Sequence, residues 1–279
     1  MLLLDYSTKG GQKLKGGVML ASSDIHGRAS GRPMLDNQWY LKVIGDKIRL
    51  THLYSVAESG WESVDGNKKD DENLKLIMSD KKTRRSLMRA RNKVFEYAYC
   101  NQWDFFFTGT IDGNKLCRSD LENWEKKFTQ MIRNLRRKGY DIQYLIIPEL
   151  HADLENWHCH GLLKGLPVEC LKHFKDNKYN WIQYEKLFGF NSLEPIRCHE
   201  AVSKYLTKYI TKTFNQNRGV IEVGKKLYLV SNGLQCGELK RKGSIAGTIE
   251  RVADFENDFC QIFNFDISEL DYLLSLYEN

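Results

Sequence analysis

The chain has 279 residues, 42% of them hydrophobic, and carries 42 Lys and Arg against 36 Asp and Glu, a formal net charge of +6. That length holds one large domain, or one of ordinary size with additions, and the apolar content suffices for a real core. With 21 glycines and only 4 prolines the composition excludes a disordered or fibrous chain, and no apolar run of membrane-spanning length occurs.

The opening "MLLLDYSTKGG" is too short and too soon polar for a signal peptide, so we expect a soluble protein of the cytoplasm with no membrane partner. The 7 cysteines are odd in number and form no C-x-x-C pair, which argues against a disulfide framework or a four-cysteine zinc site. Residues 250–279 hold eight acidic side chains against the one basic Arg251, a balance of −7, which leaves +13 for residues 1–249. Such a basic bulk suits a polyanion such as nucleic acid, although a merely solvated face has the same composition.

Residues 1 to about 75 are glycine-rich and mixed in charge, with short strand-like pieces such as "KIRLTHLYSV". From Lys81 the stretch "KKTRRSLMRARNKVFEYAYCNQW" combines a basic first half with Leu87, Val94, Phe95 and Ala98 at roughly helical spacing, which predicts a helix. Its Arg84, Arg85, Arg89 and Arg91 are candidates for DNA contact. "DFFFTGTI" (104–111) reads as a buried strand closed by Asp112-Gly113. A helix is expected next: Ser119 and Glu122 have capping-box spacing, and Leu121, Trp124, Phe128, Met131 and Leu135 make one apolar stripe before Gly139. "IQYLIIPEL" and "WHCHGLLKG" are then two strands whose short connection predicts an antiparallel hairpin. A further strand near "FGFNSLEPI", a helix from about His199 to Phe214, an edge strand in "KLYLVSNGL" and a terminal helix complete the pattern. We expect an α+β fold, a central antiparallel sheet with helices packed on one face and the other open for a site. Three segments are expected: an N-terminal extension (1–80), a central domain (81–232) and an acidic C-terminal segment (233–279).

Alternate side chains of a strand point to opposite faces, so His158 and His160 share a face while Cys159 joins Trp157 and Gly161 on the other. Cys159 is therefore a poor ligand. Two imidazoles on an open face can hold one cation, with a third ligand from the neighbouring strand, Glu149 first and His151 second. The plain alternative is a pair of packed histidines satisfied by hydrogen bonds. In "SKYLTKYITKT", Tyr205, Lys208, Tyr209 and Lys212 form one helical stripe and Val202, Leu206 and Ile210 another, which should go to the sheet. The tyrosines then lie at the sheet's edge, either as boundary residues or as nucleophiles. A phenol is ionised to only about one part in a thousand at neutral pH, and a lysine within about 4 to 6 Å can lower its pKa by about 1 to 3. Each tyrosine has a lysine three residues on. Two tyrosines about 6 Å apart along one helix could use one metal in turn.

These elements in this order resemble the HUH endonuclease superfamily and, within it, the rolling-circle replication initiators of bacteriophages and plasmids. "FFFTGT" is similar to the family's first motif, "HCH" to its His-hydrophobe-His motif, and "YLTKYITK" to its two-tyrosine motif. The lead-in "RRSLMRARNKVFEYAYCNQWD" and the later "YLVSNGL" also resemble phage versions, and the likeness covers roughly residues 84 to 232. The resemblance implies an RRM-like HUH nuclease fold with a divalent ion, Mg²⁺ or Mn²⁺, on His158, His160 and either Glu149 or His151. It also implies nicking of single-stranded DNA at a replication origin, through a covalent 5′-phosphotyrosine that leaves a 3′-hydroxyl primer. No G-x-x-x-x-G-K-[ST] occurs, so it further implies help from a host helicase and polymerase in the cytoplasm of a bacterial cell. A relaxase or tyrosine transposase of the same superfamily, a non-catalytic nucleic-acid-binding module and a structural zinc protein are the alternatives.

Overall fold

A computed structural model describes residues 34–55, 86–151, 153, 155–216, 227–246, 249–256 and 260–278. In chain order the elements are β1 (Met34–Ile44), β2 (Lys47–Ser55), α1 (86–99), β3 (Phe105–Thr110), α2 (Leu121–Arg137), β4 (Gln143–Leu150), β5 (Trp157–Lys164), β6 (Leu171–Lys175) and β7 (Lys178–Trp181). There follow α3 (Ile182–Leu187), β8 (Asn191–Pro195), α4 (His199–Gln216), β9 (Leu229–Val230), β10 (Glu238–Gly243), β11 (Phe255–Glu256), β12 (Cys260–Asp266) and α5 (Leu270–Ser275). The strands form two antiparallel sheets, one of seven in the order β6-β7-β8-β3-β5-β4-β9 and one of five in the order β10-β1-β2-β12-β11. The protein is an α+β fold, as expected. Among the described residues no helix is long and apolar enough to cross a membrane.

The strand β3, the β4–β5 hairpin, β8 and the edge strand β9 fall where the sequence placed them. α2 starts one residue later than its capping-box spacing suggests: Asp120 is the N-cap, its carboxylate accepting from the Asn123 N–H at 3.0 Å. Trp124, Phe128, Met131, Ile132 and Leu135 of α2 pack with Tyr184 and Phe188 against one face of the large sheet. Helices do not stay on that face alone. Leu87, Val94 and Ala98 of α1 and Leu206 and Ile210 of α4 close over Leu145, Ile147 and Leu162 on the other. The cause is the alternation of β4, where Leu145 and Ile147 are as buried as Ile146 between them, so both faces of this strand need an apolar partner. The site occupies what α1 and α4 leave uncovered.

The second sheet joins strands from both ends of the chain. Trp39, Leu41, Ile48, Leu50, Phe263 and Phe265 on one side of it pack with Leu273 of α5 and Tyr277. α1 links the sheets. Glu96, only 3% exposed, takes the ammonium of Lys42 from β1 and the thiol of Cys236, whose Sγ donates to Oε2 at 2.8 Å. Tyr99 donates to Asp46 at 2.7 Å, and Lys47 reaches Glu200 of α4 at 3.2 Å.

Tyr277 is 7% exposed, its hydroxyl finds no hydrogen-bond partner among the described residues, and burial pushes its phenol up to about 12. Below pH 10 the phenol is neutral in both states. Above that the unfolded chain ionises while the folded one holds its proton, so stability falls as pH rises from about 10 to 12, by up to about 2 kcal/mol from this group. Tyr277→Phe should keep or slightly raise stability at pH 7 and reduce the loss above pH 10, read as urea midpoints at the two pH values.

Candidate active site

The antiparallel register of β3, β5 and β4 builds the centre of the site. Glu149 lies directly across from His158, Ile147 across from His160, and on the other flank Thr108 faces His160 and Thr110 faces His158. Cross-strand partners point to the same side of a sheet, so all of these share the face on which α4 lies. His160 Nε2 is 2.8 Å from Glu149 Oε2, and its Nδ1 is 3.3 Å from Thr108 Oγ1. The arrangement is satisfied when Nε2–H donates to the carboxylate and Nδ1 accepts from the threonine. The other tautomer, with Nδ1–H donating to the Thr108 hydroxyl, would turn an Nε2 lone pair on the carboxylate, a repulsion that a cation between them would relieve.

His158 is half-buried and stacks on His151, ring centroids 4.9 Å apart, while exposed His151 holds Asp153 at 3.2 Å. Burial, then the neighbouring His151 and His160, push the His158 imidazole below its ordinary value, with Glu149 opposing them. At neutral pH this favours the uncharged ring, in which one nitrogen keeps a lone pair. Cys159 points the other way: it is fully buried in the core beneath α2, and burial drives its thiol far up. It is no ligand.

Gly161 allows β4 and β5 to come this close. A Cβ there would sit 2.3 Å from the Leu145 carbonyl oxygen, an approach that only a residue without Cβ permits. Gly109 of β3 instead leaves room for rings packed on the sheet, since a Cβ there would meet Phe107 Cζ at 2.5 Å and the Tyr184 hydroxyl at 2.6 Å.

α4 docks through Leu206 and Ile210, as its apolar stripe predicted, with Val202 packed alongside. That seats the other stripe over the histidines. The Tyr209 ring stacks on His160 with centroids 3.9 Å apart and planes 16° apart, and its hydroxyl donates to Tyr205 Oη at 2.7 Å. Phe106 lies among them, 5.6 Å from Tyr205, 6.4 Å from Tyr209 and 6.3 Å from His160. Tyr205 is the more open phenol, 46% exposed. The ammonium of Lys208 lies over the Tyr205 ring, 5.7 Å from its centroid. At Tyr209 the shift is opposite to the lowering that the spacing suggested: burial, then the Tyr205 hydroxyl and the Glu149 and Glu194 carboxylates, push its phenol well up. The side chain of Lys212 lies outside the described residues, as do Arg84 and Arg85, whereas Arg89 and Arg91 are exposed on α1.

Two imidazoles and a carboxylate on adjacent strands are, in kind, a donor set that a divalent ion takes. In the geometry seen Glu149 closes onto His160 itself, and among the described residues no three His, Cys, Asp or Glu side chains stand in a metal-holding arrangement. An ion would displace that contact. Sequence reading overlooked Phe106 and Thr108. Their signal was present, since the period of two in "FFFTGT" puts positions 106, 108 and 110 on one face, but which face became visible only with the register against β5.

Fold and site together define an α+β protein with a histidine, carboxylate and tyrosine cluster on an antiparallel sheet. Residues 104–214, from the start of β3 through most of α4, match a family model of replication-associated proteins, that of the replication-associated protein ORF2. The match supports a replication-associated role and, with it, DNA as the partner. Comparison with curated proteins and with solved structures gives no match.

Two substitutions check this geometry. Cys159→Ala should cost about 1 kcal/mol or somewhat more in stability and leave any divalent-ion binding unchanged. Gly161→Ala should destabilise by at least about 2 kcal/mol in thermal unfolding, because backbone of β4 would have to move.

Proposed function

We propose that the protein initiates rolling-circle DNA replication by nicking and rejoining single-stranded DNA through a tyrosine nucleophile. The observation that supports this best is the stacking of Tyr209 on His160 with Tyr205 hydrogen-bonded beside it. Two residues far apart in sequence, each within a stretch that resembles a motif of the HUH endonucleases, meet in one cluster inside the region that matches a replication-associated family.

His158, His160 and Glu149 would hold the divalent ion, Mg²⁺ or Mn²⁺, with His151 as the alternative third ligand. Bound there, the ion supplies a positive charge that offsets the charge building on the phosphate oxygens. The chain's own residues do the rest. The phenol oxygen of one tyrosine attacks phosphorus, the bond from phosphorus to the 3′-oxygen breaks, and a 5′-phosphotyrosine ester forms. The phenolic proton leaves to solvent and the departing 3′-oxygen takes one up, which gives a 3′-hydroxyl primer. Lys208 adds positive charge beside Tyr205, and Lys212 is the second lysine of the same motif. Thr108 orients the His160 ring, and Phe106 packs against both tyrosines. The second tyrosine can then accept the strand when the circle is closed.

The deciding experiment incubates the protein with labelled single-stranded DNA of its own replicon, with Mn²⁺ or with EDTA, and resolves the products on a denaturing protein gel. A metal-dependent band of protein joined to DNA is expected, absent from the Tyr205→Phe/Tyr209→Phe variant and reduced roughly 100-fold or more by His158→Ala or His160→Ala, with DNA binding retained. Joining that persists in EDTA, or in the double tyrosine variant, overturns the proposal. Glu149→Gln should weaken Mn²⁺ binding at least about tenfold and His151→Asn by less than about twofold, measured by calorimetry; the reverse order makes His151 the ligand.

A further inference from the structure

A cleft of about 820 Å³ lies beside Tyr205, bounded by the tip of the β6–β7 hairpin, the end of β8 and the start of α4. Its size is in the range of small-ligand sites. Phe106 of β3, Lys178 of β7, Glu194 of β8, Arg197 just before α4 and Tyr205 all line it. Phe106 and Tyr205 also belong to the histidine and tyrosine cluster, so the cleft is continuous with that site. Glu194 is the cross-strand partner of Phe106, and Lys178 Nζ lies 2.6 Å from Glu194 Oε1.

The chemistry of the lining selects a ligand. Arg197 and Lys178 suit phosphate, yet Glu194 would repel a phosphate placed against it. A nucleobase resolves the conflict. Its edge carries hydrogen-bond donors beside acceptors, and the Lys178–Glu194 pair presents a donor beside an acceptor. Its flat face stacks on an aromatic ring, which Phe106 provides at the cleft wall. An unpaired strand is required, because in a duplex both faces of a base are stacked on its neighbours and its Watson–Crick edge is engaged.

We propose that this cleft receives one unpaired base of single-stranded DNA. The base stacks on Phe106, Lys178 and Glu194 read its edge, and Arg197 holds an adjoining phosphate. The assignment rests on the preceding reading, in which the substrate strand passes Tyr205, and adds to it a base-specific subsite next to the cleaved link.

The test uses the full chain as the Tyr205→Phe/Tyr209→Phe variant, which leaves the strand intact, and a randomised single-stranded DNA pool carrying 5-iodouracil for photocrosslinking. Crosslinks are expected in the peptides that hold Phe106 and residues 176–179, and selection should enrich one base at one position by about tenfold. Glu194→Gln should reduce that preference to within about twofold while total affinity changes by less than about threefold. Arg197→Ala should lower the slope of log affinity against log salt by about 0.7 without altering the preference. Crosslinks confined to other peptides, a base preference that survives Glu194→Gln, or failure of the pool to bind each overturn the subsite. The two readings fail separately. Crosslinks in the cleft from a wild-type protein that forms no covalent product would remove the nicking and keep the subsite; covalent product with crosslinks only elsewhere would do the reverse.

Discussion

Everything at the candidate site depends on the register of β5 between β3 and β4. In that register Glu149 is opposite His158 and Thr108 is opposite His160. A slip of one residue would send both histidines into the core beneath α2 and bring Cys159 out in their place. Two features hold the register. Phe107, Cys159 and Leu163 alternate into one core while Leu162 goes into the other, and Gly161 passes so close to the Leu145 carbonyl that no other residue type fits. The same alternation that buries the apolar side chains thus aligns the polar ones.

The second constraint is the seat of α4. Leu206 and Ile210 share a core with Leu87, Val94 and Ala98 of α1, so the tyrosines are positioned partly by a helix that contributes nothing to the cluster itself. α1 in turn is tied to the five-stranded sheet through Glu96, a buried carboxylate satisfied by Lys42 and the Cys236 thiol. A buried charge of this kind adds little net stability when paired and costs several kcal/mol when its partner is removed, so it penalises any sliding of the helix. The five-stranded sheet is thereby linked to both helices of the site's face, through α1 and the exposed Lys47–Glu200 contact with α4.

The electrostatics of the cluster set out its chemistry. Tyr209, stacked on the His160 imidazole, is shielded by burial and lies near carboxylates, both of which favour the neutral phenol; Tyr205, one turn away and open to solvent, shares its hydroxyl contact with Tyr209 and lies beneath Lys208. The two tyrosines are alike in sequence and unlike in environment. Positive charge at the histidines would act first on the phenol that touches them, while the cleft beyond Phe106 adjoins the other.

The sequence by itself determined the α+β class, the β4–β5 hairpin, the opposite facing of Cys159 and the histidines, and the two stripes of α4. These are local consequences of periods of two and 3.6 residues, which apolar side chains must follow to be buried. What it left open was long-range. That Glu149 meets His160 at hydrogen-bond distance while His151 stacks on His158, that Tyr209 lies on the imidazole and Tyr205 outside it, and that Phe106 and Thr108 join them all depend on how β3 and α4 meet the hairpin. Only the tertiary structure decided, too, that strands at residues 34–55 and 238–266 pair in one sheet, because pairing between distant segments leaves no periodic trace in either. The pKa of a tyrosine follows the same rule: its spacing from a lysine is written in the sequence, but the burial and the carboxylates that raise the Tyr209 phenol come from the packing of the whole chain.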